Sequence, residues 1–216
     1  SGLLYNSNLI LYDRETDSNW SQVLGKCVNG ELIGDTPEVY TVVETTWETW
    51  KKAYPNSMVL NSNTGFSKPY GTYPYGSYRT NNDFFLFVPD ILNSALPNKE
   101  RVFSIIVNDQ SRVYRFENFT GGKVVRQSFF NKNFLIVGDQ SLIVAFETNG
   151  STNNLNYSYD FDNSETFFSD DEGNEWNMFG EAIAGPRLGQ KLSPTNSVTS
   201  MWFAMAAFFP NPIIYE

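Results

Sequence analysis

The chain repeats part of its own sequence, and this repeat is the feature that most constrains its fold. Gly25 to Leu60 aligns without a gap with Gly180 to Tyr215, at a constant offset of 155. The matched positions are Gly25 with Gly180, Gly30 with Gly185, Gly34 with Gly189, Trp47 with Trp202, and Pro55-Asn56 with Pro210-Asn211. Such a repeat predicts one supersecondary unit used twice, because a single copy rarely buries its apolar face alone.

The two copies are unequal in what precedes them. The second copy follows a long strand-rich stretch, residues 98–157, whose counterpart in the first copy would lie before residue 1. We therefore divide the chain into a first copy that lacks its leading strands (1–64), a connector with one strand (65–97) and a complete second copy (98–216).

The stretch before the second copy alternates short β-rich runs with turn signals, which is typical of an antiparallel meander. Two hairpins are predicted, one from Val102 to Phe116 around Asn108-Asp109 and one from Phe134 to Phe146 around Gly138-Asp139. The pattern predicts a mainly β protein, α+β with few short helices, in which two pseudo-repeated antiparallel β lobes are each closed by one short helix.

Each copy ends in one predicted helix. In the first, Thr45 and Glu48 have the spacing of a capping box. Trp47, Trp50 and Tyr54 fall on one face, opposite charged residues. The second helix keeps the frame but is apolar all round. We therefore expect the first helix to be half exposed and the second to be buried.

The connector is rich in tyrosine, proline and glycine, which excludes a helix or a central strand there. Its candidate ligand-binding residues are Tyr70, Tyr73, Tyr75, Tyr78 and Arg79. Rigid rings on a braced loop give contact area at low entropic cost. The alternative is that these tyrosines only cover the seam between the copies. From Phe84 to Val88 the sequence predicts a buried strand.

Composition excludes several kinds of function. A net charge of −9 argues against nucleic acid, which requires clustered Lys and Arg. The absence of histidine removes the Ser-His and Cys-His nucleophile systems and imidazole acid–base chemistry. The single cysteine, Cys27, forms no intramolecular disulfide. No apolar run is long enough for a transmembrane segment. We expect no catalytic residue set, no metal site and no cofactor.

Acidic residues cluster before two of the tryptophans. Asp13, Glu15 and Asp17 precede Trp20, and a second acidic group, Asp170, Asp171 and Glu172, precedes Trp176. Solvated β-turns explain both groups, while oxygen-rich calcium coordination is the alternative. Two carboxylates facing each other across a cleft would instead support a glycoside hydrolase.

Several ordered motifs along the chain resemble one family. They are Ser1-Gly2-Leu3-Leu4-Tyr5-Asn6-Ser7, Tyr12-Asp13-Arg14-Glu15-Thr16, Trp20-Ser21-Gln22, Thr46-Trp47-x-x-Trp50, Pro74-Tyr75-Gly76-x-Tyr78, Trp176-Asn177 and Met201-Trp202-Phe203-Ala204. Together they resemble the bacterial and archaeal domain of unknown function numbered 3179, over the whole chain. The resemblance implies no established activity. It implies an extracytoplasmic setting, secreted or at the cell envelope, and a usual upstream segment with a Cys-Pro motif that this sequence lacks.

These observations favour an extracytoplasmic, non-catalytic binding or structural/assembly module of unknown ligand. The alternative is a carboxylate-dependent hydrolase acting on glycans. As partners we expect a small molecule or glycan and no nucleic acid. We also expect self-association, or strand pairing with a missing N-terminal segment, along the edge from Leu3 to Tyr12.

Overall fold

The computed structural model describes residues 3–216; the first two residues of the predicted first copy (1–64) lie outside them. The strands in chain order are β1 (Leu3–Tyr5), β2 (Asn8–Asp13), β3 (Ser18–Ser21), β4 (Lys26–Asn29), β5 (Arg101–Val107), β6 (Gln110–Arg115), β7 (Lys123–Phe129), β8 (Lys132–Gly138), β9 (Ile143–Thr148), β10 (Tyr157–Tyr159), β11 (Phe168–Asp170), β12 (Glu175–Trp176), β13 (Ala182–Ala184), β14 (Ser193–Pro194), β15 (Ser197–Met201) and β16 (Ile213–Tyr215).

Two short α-helices accompany these strands, α1 (Trp47–Ala53) and α2 (Trp202–Phe208). Single 3₁₀ turns lie at Phe116–Phe119 and Gly150–Asn154. The predicted fold class, mainly β with few short helices, is therefore confirmed. In the described part of the chain, neither helix is long and apolar enough to cross a membrane.

The strands form four sheets of four strands each. Their orders are β1-β2-β3-β4, β15-β5-β6-β16, β14-β9-β8-β7 and β10-β11-β12-β13. Neighbouring strands run antiparallel, except that β16 pairs parallel with β6. For strands that are consecutive in the chain, antiparallel pairing follows from the short turns that join them, whereas β15–β5 and β14–β9 pair distant segments.

Local turn chemistry sets the hairpins of the central sheets. Asn108 and Asp109 both adopt left-handed backbone angles, φ 50° and φ 59°, and join β5 to β6 as predicted. A second hairpin joins β8 to β9 just after Gly138. The hairpin between β7 and β8 was not predicted. Its turn residues, Phe130 and Asn131, also have positive φ, and Phe130 gives no turn signal in the sequence.

The core is layered, and alternate residues of each central strand face different layers. In β8, Leu135 and Val137 join the core shared with β10–β13, while Phe134 and Ile136 face β5 and β6. Beyond β5 and β6, α2 closes a third core with Trp202 at its centre. Strands buried on both faces have continuous apolar sequences, which explains β5, β8 and β9.

The two helices differ in exposure as predicted. Apart from half-buried Phe208, all of α2 is buried. Only Thr49 and Ala53 of α1 are buried. Trp47 is 50% exposed, so the first residue of the predicted apolar face does not pack inward. The cap is also one residue later than predicted, because the hydroxyl oxygen of Thr46 accepts the Thr49 amide at 3.1 Å.

The aligned segments share local geometry. In the first, the Cys27 amide donates to the Asp35 carbonyl at 2.8 Å, and at the offset of 155 the Ala182 amide donates to the Gln190 carbonyl at 2.8 Å. The glycine at each turn has positive φ, and a side chain at Gly30 would meet the backbone of Ser18. Turn geometry therefore explains the matched glycines. The division into two lobes stays a prediction.

The connector differs from its prediction. Residues 54–100 contain no helix or strand, so the strand expected from Phe84 to Val88 is wrong. The strands β5 and β6 pair with β15 and β16 on their outer sides, so residues 84–88 do not pair with either of them. Phe85 instead packs edge-on against Phe203 of α2, with ring centroids 5.2 Å apart.

Candidate functional site

Three of the four predicted tyrosines come together in the structure. The rings of Tyr73 and Tyr75 meet edge to face with centroids 5.6 Å apart, and Tyr75 lies 6.5 Å from Tyr78. Tyr70 has its own partner, because its hydroxyl lies 2.6 Å from the Thr64 hydroxyl. The connector therefore presents one continuous run of three rings, with Tyr70 held separately.

Arg79 extends this aromatic run. Its guanidinium carbon lies 4.1 Å from the centroid of the Tyr73 ring, a cation–π geometry. The local turn brings these groups together: the Tyr78 amide donates to the Tyr75 carbonyl at 3.2 Å, and Gly76 between them has a φ of 57°. Tyr75 is 53% exposed and forms the outermost ring of the run.

Beneath the connector lies a lysine that the sequence analysis did not identify. The Nζ of Lys99 lies 3.6 Å from the ring centroid of Tyr78, 4.5 Å from that of Phe203 and 4.6 Å from that of Phe85. The residue is only 8% exposed, and Nζ has no hydrogen-bond partner within residues 3–216. Burial lowers the pKa of the Lys99 ammonium below its usual value.

The lysine lines a cavity of about 440 Å³ that also contains two arginines. Its wall is formed by Glu44, Arg79, Lys99, Arg101, Thr199, Ser200 and Met201. The one carboxylate among them is already engaged, because Arg101 Nε donates to the Glu44 carboxylate at 2.9 Å. The cavity thus has an excess of positive charge although the chain carries a net charge of −9.

A second cavity of about 590 Å³ lies beside it, lined mainly by residues 92–98 and by Asn82. Asn82 connects the two cavities: its side-chain oxygen accepts the Lys99 amide at 2.8 Å, and its carbonyl accepts the Asn98 side chain at 3.0 Å. The segment that carries Lys99 is therefore held by the connector through defined hydrogen bonds.

The acidic clusters have structural partners. Asp170 accepts hydrogen bonds from the Trp176 indole at 2.8 Å and from the Asn174 amide side chain at 2.9 Å. Hydrogen bonds from Thr16 and from the Glu15 backbone lower the pKa of Asp13, and hydrogen bonds from Asn156 lower that of Asp171. A general acid requires the opposite direction.

The described residues contain no group of side chains that could coordinate a metal ion. Among residues 3–216, no three Asp, Glu or Cys side chains are grouped closely enough to hold one metal ion. The calcium alternative for the acidic clusters therefore gains no support, while the turn interpretation agrees with the hydrogen bonds of Asp13 and Asp170.

Sequence reasoning found the connector side of this region but missed Lys99 and Arg101. The local sequence Asn98-Lys99-Glu100-Arg101 is a short charged stretch before a strand, which usually indicates a solvated strand end. No local pattern shows that Tyr78, Phe85 and Phe203 converge on this lysine. The only available signal was a lone lysine directly before a long apolar strand.

Comparisons with known proteins place the chain in a family without giving it an activity. No curated protein and no solved structure matches it. One family model, described as protein of unknown function (DUF3179), matches residues 1–212 of the 216-residue chain. The chain therefore belongs to the DUF3179 family.

Proposed function

We propose that this protein is a non-catalytic binding module, and that its ligand surface is the connector with the cavity beneath it. One observation carries the proposal: Tyr73, Tyr75 and Tyr78 form a continuous run of neighbouring rings beside a preformed cavity. Pockets that bind small ligands combine aromatic surface with a few convergent polar groups. This surface has both.

A sugar or another ring-shaped small molecule fits such a surface. The exposed face of Tyr75 offers apolar stacking area, while its hydroxyl and the nearby Arg79 offer hydrogen bonds. Because the three rings already contact one another, little side-chain entropy remains to be lost on binding. Preorganisation of this kind supports binding more directly than it supports a reaction.

The alternative, a carboxylate-dependent hydrolase acting on glycans, requires two carboxyl groups facing the scissile bond. The cavity beside the connector has one carboxylate in its wall, Glu44, and it is paired with Arg101. The hydrolase hypothesis therefore remains without a catalytic pair at the site we favour. A glycan hydrolysed at that site would contradict the binding proposal.

The ligand proposal is tested by calorimetric titration with a panel of neutral and acidic mono- and oligosaccharides. We expect at least one sugar to bind and Tyr75→Ala to weaken its binding about five- to tenfold, the loss of roughly 1 kcal/mol of stacking. The matched control is Tyr40→Ala, which removes a tyrosine that is 74% exposed and lies outside the connector. Equal weakening by both variants, or no binding by any sugar, would contradict the proposal.

We further propose that the protein acts outside the cytoplasm, secreted or at the cell envelope. The support is the resemblance of the family to exported and envelope-associated proteins. Fractionation of the native source, followed by immunodetection, tests this proposal. Protein found only in the cytoplasmic fraction would contradict it.

The edge from Leu3 to Tyr12 supports a second, structural role. β1 pairs with β2 through three residue pairs and has no strand on its other side among residues 3–216. Leu3 is 72% exposed and Tyr5 is 54% exposed. An open edge with apolar side chains recruits another strand. We propose that a second copy of the chain pairs with it, because two identical edges can satisfy each other antiparallel about a twofold axis.

Sedimentation velocity tests this pairing. We expect a dimer that Leu4→Lys dissociates, because a charged side chain on an edge strand opposes strand addition. The control is Leu188→Lys, at a residue 69% exposed in the second half of the chain, which leaves the dimer intact. A monomer of 24.6 kDa at all concentrations would contradict the proposal. A monomer that binds only a peptide fragment would identify a separate N-terminal segment as the partner instead.

A further inference from the structure

The buried ammonium of Lys99 has no anionic partner. Three rings surround Nζ at 3.6 to 4.6 Å, yet within the described chain it donates no hydrogen bond and forms no ion pair. Ring faces attract a cation but do not replace three hydrogen-bond acceptors. A buried charge without a partner is unfavourable unless an opposite charge compensates it. A group that enters the adjacent cavity could supply the missing negative charge.

The two arginines of the cavity still have donors to offer. The guanidinium of Arg79 stacks on Tyr73 and donates no hydrogen bond to residues 3–216. The guanidinium carbon of Arg101 lies 4.0 Å from the centroid of the Phe116 ring. Only its Nε and one terminal nitrogen donate to Glu44. A guanidinium that stacks by its face keeps its in-plane N–H groups for a carboxylate or a phosphate.

The side chains of the cavity wall carry more positive than negative charge. Arg79, Lys99 and Arg101 contribute three positive charges and Glu44 contributes one negative charge. Thr199 and Ser200 add hydroxyl groups to the same wall. This concentration of positive charge occurs in a chain whose net charge is −9, so it is not a general property of the surface. A cavity lined by one sign of charge concentrates ligands of the opposite sign.

We propose that the cavity between the connector residue Arg79, the start of β5 and the end of β15 binds a small organic anion. Arg79 and Arg101 would hold the anionic group, Lys99 would neutralise it from behind, and the rest of the ligand would lie against Tyr75. This inference rests on the proposed function, because it uses the same surface, and it names the ligand class. Carboxylate and phosphate share the required chemistry, and a sugar acid or sugar phosphate carries either group on a ring that can stack on tyrosine.

Three probes separate these possibilities by calorimetry: glucuronate, glucose 6-phosphate and neutral glucose. We expect at least one of the two anions to bind at least tenfold more tightly than glucose, because hydrogen bonds to a charged group are about twice as strong as neutral ones. The anion that binds more tightly identifies the preferred group. Glucose binding as tightly as both anions would contradict the anion proposal and leave the sugar-binding module intact. No binding by any of the three probes would contradict the anion proposal.

Two variants identify the residues responsible. Lys99→Met keeps the apolar stem among the rings and removes the charge, and we expect it to weaken anion binding at least tenfold. Arg79→Gln removes a half-exposed cation whose loss does not disturb the core, and we expect a similar loss. The control is Lys51→Met, which removes the same charge from the exposed face of α1.

Stability separates this role from a purely structural one. If Lys99 serves only to fasten the connector to α2, Lys99→Met lowers the melting temperature and leaves anion binding of the folded fraction unchanged. Our proposal requires the reverse: unchanged or higher stability without anion, because an unpaired buried charge is removed, and lost binding. Unchanged anion binding in both Lys99→Met and Arg79→Gln would overturn the inference.

Discussion

The two halves of the described chain use their apolar residues differently. After residue 98, the exposed large apolar side chains are Phe130, Phe179, Leu188 and Ile213, while most of the others are buried. Before residue 98 the pattern reverses, and the buried apolar side chains are Ile10, Val23, Cys27, Ala53 and Leu96. The second half therefore provides most of the hydrophobic core, and the first half packs against its surface.

This difference separates stability from binding. The first half contributes to the cores by inserting single side chains, such as Ala53 into the core of β10–β13 and Val23 into the core beneath α2. Its other groups, the connector tyrosines and Arg79, remain at the surface. A ligand surface is expected where side chains make few buried contacts and remain accessible to solvent.

Removing corresponding tryptophans from the two halves gives the sharpest contrast. Trp202 is fully buried, and its indole donates to the Asn93 carbonyl at 2.6 Å. We expect Trp202→Ala to lower the free energy of unfolding by about 4 kcal/mol. Trp47, its counterpart at the offset of 155, is 50% exposed, so Trp47→Ala costs under about 1 kcal/mol. Urea unfolding measures both losses, and similar values would contradict the difference in packing between the two halves.

The acidic residues before the two repeated tryptophans give the next contrast. Asp170 is buried and accepts hydrogen bonds from Asn174 and from the Trp176 indole. We expect Asp170→Asn to cost about 2 kcal/mol, since it replaces charge-assisted acceptors by an amide. Asp13 is only half-buried, and we expect a smaller loss from Asp13→Asn. Thermal unfolding of both variants checks the order, and a larger loss for Asp13→Asn would reverse it.

The cap of α1 gives a smaller effect within the first half. Thr46 accepts the Thr49 amide, so Thr46→Ala lowers the free energy of unfolding by about 1 kcal/mol. Thr45→Ala is the control, because the predicted capping box at Thr45 does not form. Equal effects in urea unfolding would mean that the helix begins at Thr45 after all.

The smallest expected effect is a pH-dependent difference between wild type and Lys99→Met. Burial lowers the pKa of Lys99, so its destabilisation is fully present below that folded-state pKa and disappears as pH rises towards 10.5. Wild type therefore gains stability relative to the variant as pH rises. Tyr78, whose pKa burial raises, is present in both proteins and affects their stability alike, while Arg79, Arg101 and Glu44 line the same cavity as the lysine. A difference that is flat in pH would contradict the burial of the ammonium.

The features of the fold that could be predicted are those determined by residues close together in the sequence. The turn at Asn108-Asp109 and the contrast between α1 and α2 follow from local composition, and the structure agrees. The connector tyrosines were also recognisable, because proline and glycine mark a loop. These features need no knowledge of what packs against them.

The rest depends on contacts between distant segments. The sequence from Phe84 to Val88 has strand propensity, but Phe85 packs against Phe203 of α2 and the segment joins no sheet, because tertiary context overrides propensity. The environment of Lys99 is built from Tyr78, Phe85 and Phe203, which no local pattern connects. Charge patterns in the sequence likewise give no sign that Arg79 and Arg101 share one cavity.

Amide hydrogen exchange followed by mass spectrometry tests the separation of core and binding layer most directly. We predict that peptides covering β8 and β9 exchange only on the timescale of global unfolding, while peptides covering residues 54–97 exchange much faster. Addition of the tightest-binding probe should then slow exchange around Tyr75 and Arg79 and leave the core strands unchanged. Equal protection of residues 54–97 and of the core strands in the free protein would contradict the account.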